Sequence, residues 1–110
     1  MEIIEYQTAG GKNLIQDYID GLPLRERLAF DQIRLKIMDD GALALKVLNT
    51  RQLRGKLWEI KFSQNRILYA IRDGETIYFL HACKKQKSKA EKLDLDKAIR
   101  RAKEFGIEID

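Results

Sequence analysis

The sequence predicts an α+β domain, on three observations. Short apolar runs separated by turn residues crowd the middle of the chain. Stretches whose apolar residues recur at helical spacing flank them on both sides. The two kinds are segregated rather than alternating, which is the arrangement of helices laid on an antiparallel sheet. In chain order the pattern reads β-α-α-β-β-β-α, with the helices expected on one sheet face. A chain of 110 residues buries one core and not two, so residues 1–110 are expected to form a single domain.

Each element has its own justification. Glu2 to Tyr6 is strand-like, ends at the Thr8-Ala9-Gly10-Gly11 break and is expected to lie beside the central strands. Asn13 with Gln16 three residues on resembles a helix-start box, and Leu14, Ile15, Tyr18, Ile19 and Leu22 then share one stripe. Gly21-Leu22-Pro23 ends that helix and opens another, in which Leu24, Leu28, Ile33 and Ile37, with Phe30 and Met38 beside them, run to the Gly41 stop. So short a link predicts a helical hairpin. Ala42 to Arg51 has neither period and reads as a connector whose leucines tuck beneath the sheet.

Leu57 to Phe62, Arg66 to Ile71 and Thr76 to Cys83 are rich in Ile, Leu, Tyr, Phe and Trp, and are parted by Ser63-Gln64-Asn65 and Arg72-Asp73-Gly74-Glu75. That is the composition of a three-stranded antiparallel meander. A basic run, Lys84 to Lys89, follows it. Leu95, Ala98, Ile99, Ala102 and Phe105 then mark a final helix that stops at Gly106.

Composition excludes several classes. With 45% hydrophobic and 35% charged residues and one proline, the chain has the apolar content of a folded protein and not of a disordered one. No apolar run approaches the length of a membrane span, and the opening MEIIEYQTAG lacks the basic and apolar regions of a signal peptide, so a cytoplasmic location is expected. The single cysteine, Cys83, rules out an intrachain disulfide and a zinc cluster. Within its apolar run it reads as a small buried residue, and as a reactive thiol only if it points out of the core. Charge is unevenly spread: between Arg51 and Lys92 eleven Lys or Arg stand against four Asp or Glu. That local excess of cations is the electrostatic footprint of a phosphate-backbone binder.

Alternation along the first meander strand sends Trp58, Ile60 and Phe62 to one face and Leu57, Glu59 and Lys61 to the other. Simple hairpin register sets Arg66 across from Lys61 or its neighbours, with His81 near the same end. A face lined with Lys, Arg, His and one Glu suits an anion. Plainer roles exist for each: cations keep strand edges soluble, Glu59 and Lys61 can be an ion pair, and His81 can be structural. Tyr69 and Tyr78 are either core rings or platforms on which a base stacks. The chain has no Gly-rich phosphate loop, no paired-His metal spacing, no nucleophile elbow and no Cys-x-x-Cys. One histidine excludes a His-pair ribonuclease. What stays open is phosphoryl transfer without metal or cofactor. In it a 2′-hydroxyl attacks the neighbouring phosphate, a base takes its proton, cations bear the phosphorane charge and an acid protonates the leaving 5′-oxygen.

The succession Leu53-Arg54-Gly55, Leu57-Trp58-Glu59-Ile60, Asn65-Arg66-Ile67-Leu68-Tyr69 and Phe79-Leu80-His81-Ala82-Cys83-Lys84-Lys85-Gln86-Lys87 resembles the RelE/HigB superfamily of toxins, in its phage-derived Gp49-like branch. The resemblance is strongest over the C-terminal half, and the helical hairpin with its Leu-Pro junction agrees in order. It implies a RelE-like microbial RNase fold and a type II toxin that acts as a ribosome-dependent endoribonuclease (mRNA interferase), cutting mRNA in the 30S A site. It implies a cognate antitoxin, of helix-turn-helix type, as partner, and no metal. Carried over by position, Arg66 matches the strand arginine placed on the scissile phosphate. Glu59 is the candidate general base and Lys61 a phosphate ligand. Lys84, Lys85 and Lys87 match the basic segment that holds RNA and supplies the acid, for which Lys85 is the candidate. Arg54 and His81 fall on recurrent positions, and Lys56, Tyr69 and Lys89 complete the expected RNA-binding set. Two departures stand out: Ser88-Lys89-Ala90 lacks the proline that commonly follows the basic segment, and Lys61 stands where near relatives often carry arginine, whose planar fork a lysine cannot reproduce.

Two other functions fit the same features. A ParE-like toxin shares this fold and inhibits DNA gyrase by binding, and a nonenzymatic RNA or ribosome binder would use the same cations without product. Retention of Glu59, Lys61, Arg66, His81 and the lysine cluster favours the nuclease, because a pure binder has no need of that constellation on one face.

Overall fold

The computed structural model describes residues 1–85 and 92–110. Nine elements follow one another: β1 (Glu2–Glu5), α1 (Leu14–Asp20), α2 (Leu24–Asp40), α3 (Ala42–Val47), β2 (Thr50–Arg54), β3 (Leu57–Phe62), β4 (Asn65–Arg72), β5 (Thr76–Lys84) and α4 (Lys92–Glu104). The strands form one sheet in the order β1-β5-β4-β3-β2. The β3-β4-β5 meander is antiparallel as its turns require, and β1 adds to β5 in parallel, Glu2 opposite Thr76. No described helix is long and apolar enough to cross a membrane.

The connector expected over Ala42 to Arg51 is instead a short helix and the start of an edge strand. Gly41 takes a positive φ of 62°, which breaks α2 and lets α3 begin at once. Only Ala44 of α3 is buried, while Leu43 is 66% and Val47 70% exposed, so the leucines do not tuck beneath the sheet as a group. Thr50 and Arg51 then pair with Ile60 and Glu59, extending the sheet by a fifth strand.

Helices lie on both faces of the sheet, not on one. The first core joins Ile15, Ile19, Phe30, Ile33 and Ile37 of the helical hairpin to Ile60, Ile67, Ile77 and Phe79 of the strands. The second packs Ala98 and Ala102 of α4 on Leu57, Leu68, Ala70 and Leu80. Both faces being covered is why β4 is buried along Asn65 to Ala70 and why Ile67 to Ile71 reads as a continuous apolar run. α1 starts as its box predicts, the Asn13 Oδ1 accepting from Gln16 N–H at 2.9 Å. On α2 the buried stripe is Phe30, Ile33 and Ile37. Leu24 and Leu28, expected on the stripe of Ile33 and Ile37, and Met38, expected beside it, are each more than half exposed and form a second, outward stripe with Leu35.

After α4 the chain turns at Gly106 and buries Ile107 and Ile109 in the second core. This tail reaches the β2-β3 turn, where Lys56 N–H donates to the Ile109 carbonyl at 2.8 Å. Gly55, at φ 51°, lies so close that a Cβ there would strike that carbonyl.

Candidate active site

Strand register decides which side chains meet. Arg51 lies opposite Glu59, and Glu59 opposite Leu68, which in turn pairs with His81. The neighbouring row is Lys61, Arg66 and Cys83. Directly paired residues share a face, so all of these point to the α4 side, as the alternation of β3 requires for Glu59 and Lys61. A bulge at Leu80, which has no partner in the register, turns both Leu80 and His81 toward α4.

The centre of the arrangement is the Glu59 carboxylate, wholly buried. Arg51 Nε is 3.1 Å from Oε2, Lys61 Nζ is 3.7 Å from Oε2 and Arg66 Nε is 3.5 Å from Oε1. Three cations thus surround one acid. Arg51 and Lys61 form the solvent edge of the group, with side chains 40% and 22% exposed, while Arg66 stands behind them at 0%. Among the described residues no nitrogen of the Arg66 guanidinium and neither oxygen of Glu59 has a hydrogen-bond partner. A buried donor left without an acceptor costs about 1–3 kcal/mol, and a guanidinium carries five N–H donors. Among the described residues the Arg66 guanidinium is therefore short of acceptor oxygens.

Beside it lies a second polar group, set by α4. Arg101 is stacked over the Tyr6 ring at 4.6 Å and donates through Nη1 to the Leu80 carbonyl at 3.0 Å and to His81 Nδ1 at 3.2 Å. Arginine has no acceptor, so Nδ1 accepts and the ring proton sits on Nε2, which donates to Asp94 Oδ1 at 2.7 Å. Burial lowers the His81 pKa, against the raising effect of Asp94 and with Arg101 adding to the fall. Both ring nitrogens are occupied in the neutral form. Cys83, next in line, has its thiol pushed up to about 12, first by burial and then by Asp94, with Arg66 opposing. That thiol is inert at neutral pH.

His81, Cys83 and Asp94 bring an imidazole nitrogen, a sulfur and a carboxylate oxygen within 4.8 Å of one another. They are poorly set for a metal ion. Binding at Nε2 would move the ring proton to Nδ1, against the Arg101 N–H, and the Nε2–Asp94 hydrogen bond would have to break.

The structure brings Glu59, Lys61 and Arg66 together, sets His81 beside them, and places Lys84, Tyr69, Arg54 and Lys56 elsewhere. Lys85 follows β5 at the same end of the sheet, its backbone N–H bonded to Gln64 O at 2.7 Å. Lys84 serves the opposite face, donating to Asn65 Oδ1 at 3.2 Å beside Glu26. Tyr69 is 3% exposed in the first core, its pKa raised to about 12 by burial, and Tyr78 is 6% exposed on the α4 side; neither ring is free to stack. Arg54 is engaged by the Asp110 carboxylate at 2.7 Å, and with Lys56 it sits at the β2-β3 turn, the far end of β3 from Lys61. Lys87 and Lys89 lie outside the described residues. Arg51, Asp94 and Arg101 join the site without having been singled out in the sequence. Only Arg51 had a usable signal, since treating Thr50 to Arg54 as a strand would have set it opposite Glu59.

The family model described as "Phage derived protein Gp49-like (DUF891)" matches residues 17–103. That span contains every residue of both polar groups except Tyr6. No curated protein matches the chain.

Proposed function

Because the chain belongs to the phage-derived Gp49-like family, a RelE/HigB-like toxin branch, we propose that it is the toxin of a toxin-antitoxin pair and acts as a ribosome-dependent endoribonuclease. The observation that carries the reading is the convergence of Arg51, Lys61 and Arg66 on one buried carboxylate, with the Arg66 donors lacking acceptors. A phosphodiester supplies what Arg66 lacks among the described residues: acceptor oxygens for the guanidinium, with Lys61 at the solvent edge to meet its charge.

In this reading Glu59 takes the proton of a ribose 2′-hydroxyl and the freed oxygen attacks the adjacent phosphorus. Arg66 and Lys61 bear the charge that develops on the non-bridging oxygens. The bond to the 5′-oxygen breaks, and that oxygen takes a proton from a lysine at the open end of the sheet, with Lys85 the candidate. The products are a 2′,3′-cyclic phosphate and a 5′-hydroxyl. His81, held neutral between Arg101 and Asp94, positions α4 on β5 and is not the acid. The antitoxin partner follows from the family, and mRNA on the ribosome is the proposed substrate.

The test is primer extension on mRNA from a purified translation system given the full chain, with end-group analysis of any fragment. Cuts within codons that leave cyclic phosphate ends support the reading. Intact mRNA with ribosomes present, or loss of gyrase supercoiling activity in its place, rejects it.

A further inference from the structure

On the sheet face opposite Glu59 and toward the β2-β3 turn, a hollow of about 460 Å³ opens between α3 and the strands. Its walls are Leu45, Trp58, Tyr69 and Ile71, and Lys46 and Lys56 stand among its lining, which among the described residues includes no acid. Trp58 was expected in the core with Ile60 and Phe62, yet it is 37% exposed. The reason is local: α3 has only six residues, about 9 Å of helix, too little to roof this part of the face. The same helix leaves Val47 70% exposed. A large aromatic in the wall of an apolar concavity, with two lysines in the lining, has the anatomy of an interface hot spot.

We infer that this hollow is a docking site for an acidic polypeptide segment of a partner protein, which seats one aromatic or branched apolar side chain against Trp58 and sets carboxylates against Lys46 and Lys56. The cations alone would suit RNA equally, but the walls favour a polypeptide. The Thr50 hydroxyl already donates to the Leu45 carbonyl at 3.4 Å, and Tyr69 is buried, so a base would find one ring and little to read its edge. β2 is the outermost strand beside the hollow, so an extended segment can also pair along it. The inference rests on the toxin reading only for who supplies the segment, the antitoxin being the partner the family implies.

Trp58 is the sole tryptophan, so its emission reports occupancy of the hollow directly. Peptides are selected from a random dodecapeptide library on the immobilised full chain, and tryptophan-free winners are titrated in solution. The expected result is an enriched pattern of one large apolar residue flanked by Asp or Glu. Binding should shift Trp58 emission to the blue and shield it from iodide. Lys46→Glu should weaken binding about tenfold or more, Lys46→Arg should restore it, and Leu45→Asp should abolish the shift. The inference is overturned if the winners lack that pattern, leave Trp58 emission unmoved or bind Lys46→Glu equally well. It is also overturned if Trp58 responds to oligouridine RNA in preference to the peptides, or to protein concentration alone, which would assign the hollow to nucleic acid or to a second copy. The readout needs no cut RNA, so an absence of nuclease activity leaves this test standing, and a failed titration leaves the nuclease reading standing.

Discussion

Arg66 on β4 and Glu59 on β3 are diagonal neighbours with both side chains at 0% exposure and 3.5 Å between Nε and Oε1, and neither completes a hydrogen bond to the other. Such a pair is a poor device for stability, since two desolvated charges are recovered only by good geometry. It is a good device for taking up an anion. Replacing the guanidinium by an apolar chain of similar length separates these roles. Arg66→Met is expected to lower mRNA cleavage by about a hundredfold or more while leaving unfolding stability unchanged or raised by about 1–3 kcal/mol. Urea denaturation beside a translation-coupled cleavage assay reads both. A variant that unfolds easily and still cuts would show that Arg66 is structural.

Removing the acid should act in the opposite sense on stability. Glu59→Gln leaves three cations around a neutral amide and is expected to cost about 3 kcal/mol, with cleavage falling by about 10²–10⁴ through loss of the base. Lys61→Ala, at the solvent edge, should cost little stability and less activity. Full-rate cleavage by both variants, after correction for the folded fraction, would remove both residues from the mechanism.

His81 supplies a pH dependence whose sign follows from its surroundings. Its folded pKa lies below the unfolded value of about 6.5, chiefly because it is buried. Below about pH 6.5 the unfolded chain therefore binds this proton more readily than the folded one, and stability falls as pH drops from there through the folded pKa. Above that window His81 contributes no slope. Chemical denaturation from pH 7.5 to 5 should show this loss, and His81→Gln should flatten it. An unchanged slope in the variant would mean that other groups set it.

Gly55 is required twice over, by its φ of 51° and by the Ile109 carbonyl beside it. Gly55→Ala should lower stability by more than about 1 kcal/mol and loosen the tail, seen as faster amide exchange at Lys56, whose N–H bonds Ile109. Wild-type exchange at Lys56 would show that the tail tolerates the change.

Much of the architecture was legible because its signals are local. The meander announces itself through short apolar, aromatic-rich runs and turn residues, α1 through its cap, and α4 through a stripe that meets the sheet as Ala98 and Ala102. What escaped depends on distant partners. β2 has two arginines among its five residues and becomes a strand only because β3 offers it an edge. α3 buries a single alanine. On α2 two apolar stripes compete, and only tertiary packing shows that Phe30, Ile33 and Ile37 face inward. The site divides the same way: Glu59, Lys61 and Arg66 follow from alternation and a hairpin turn, whereas Asp94 and Arg101 reach His81 only through the docking of α4, which no spacing rule encodes.

The parallel pairing of β1 with β5 bears on how such a chain is made. Glu2 to Glu5 emerge well ahead of their hydrogen-bonding partners, Thr76 to Phe79, which follow only after the helical hairpin and three further strands have been made. Cys83, which flanks Arg66 in the register, comes later still. Elongation at about 5–20 residues per second thus holds the nascent polypeptide for several seconds with its sheet unclosed. The β1 edge of the sheet is thus closed late, after the strands that carry Glu59, Lys61 and Arg66 have already been made.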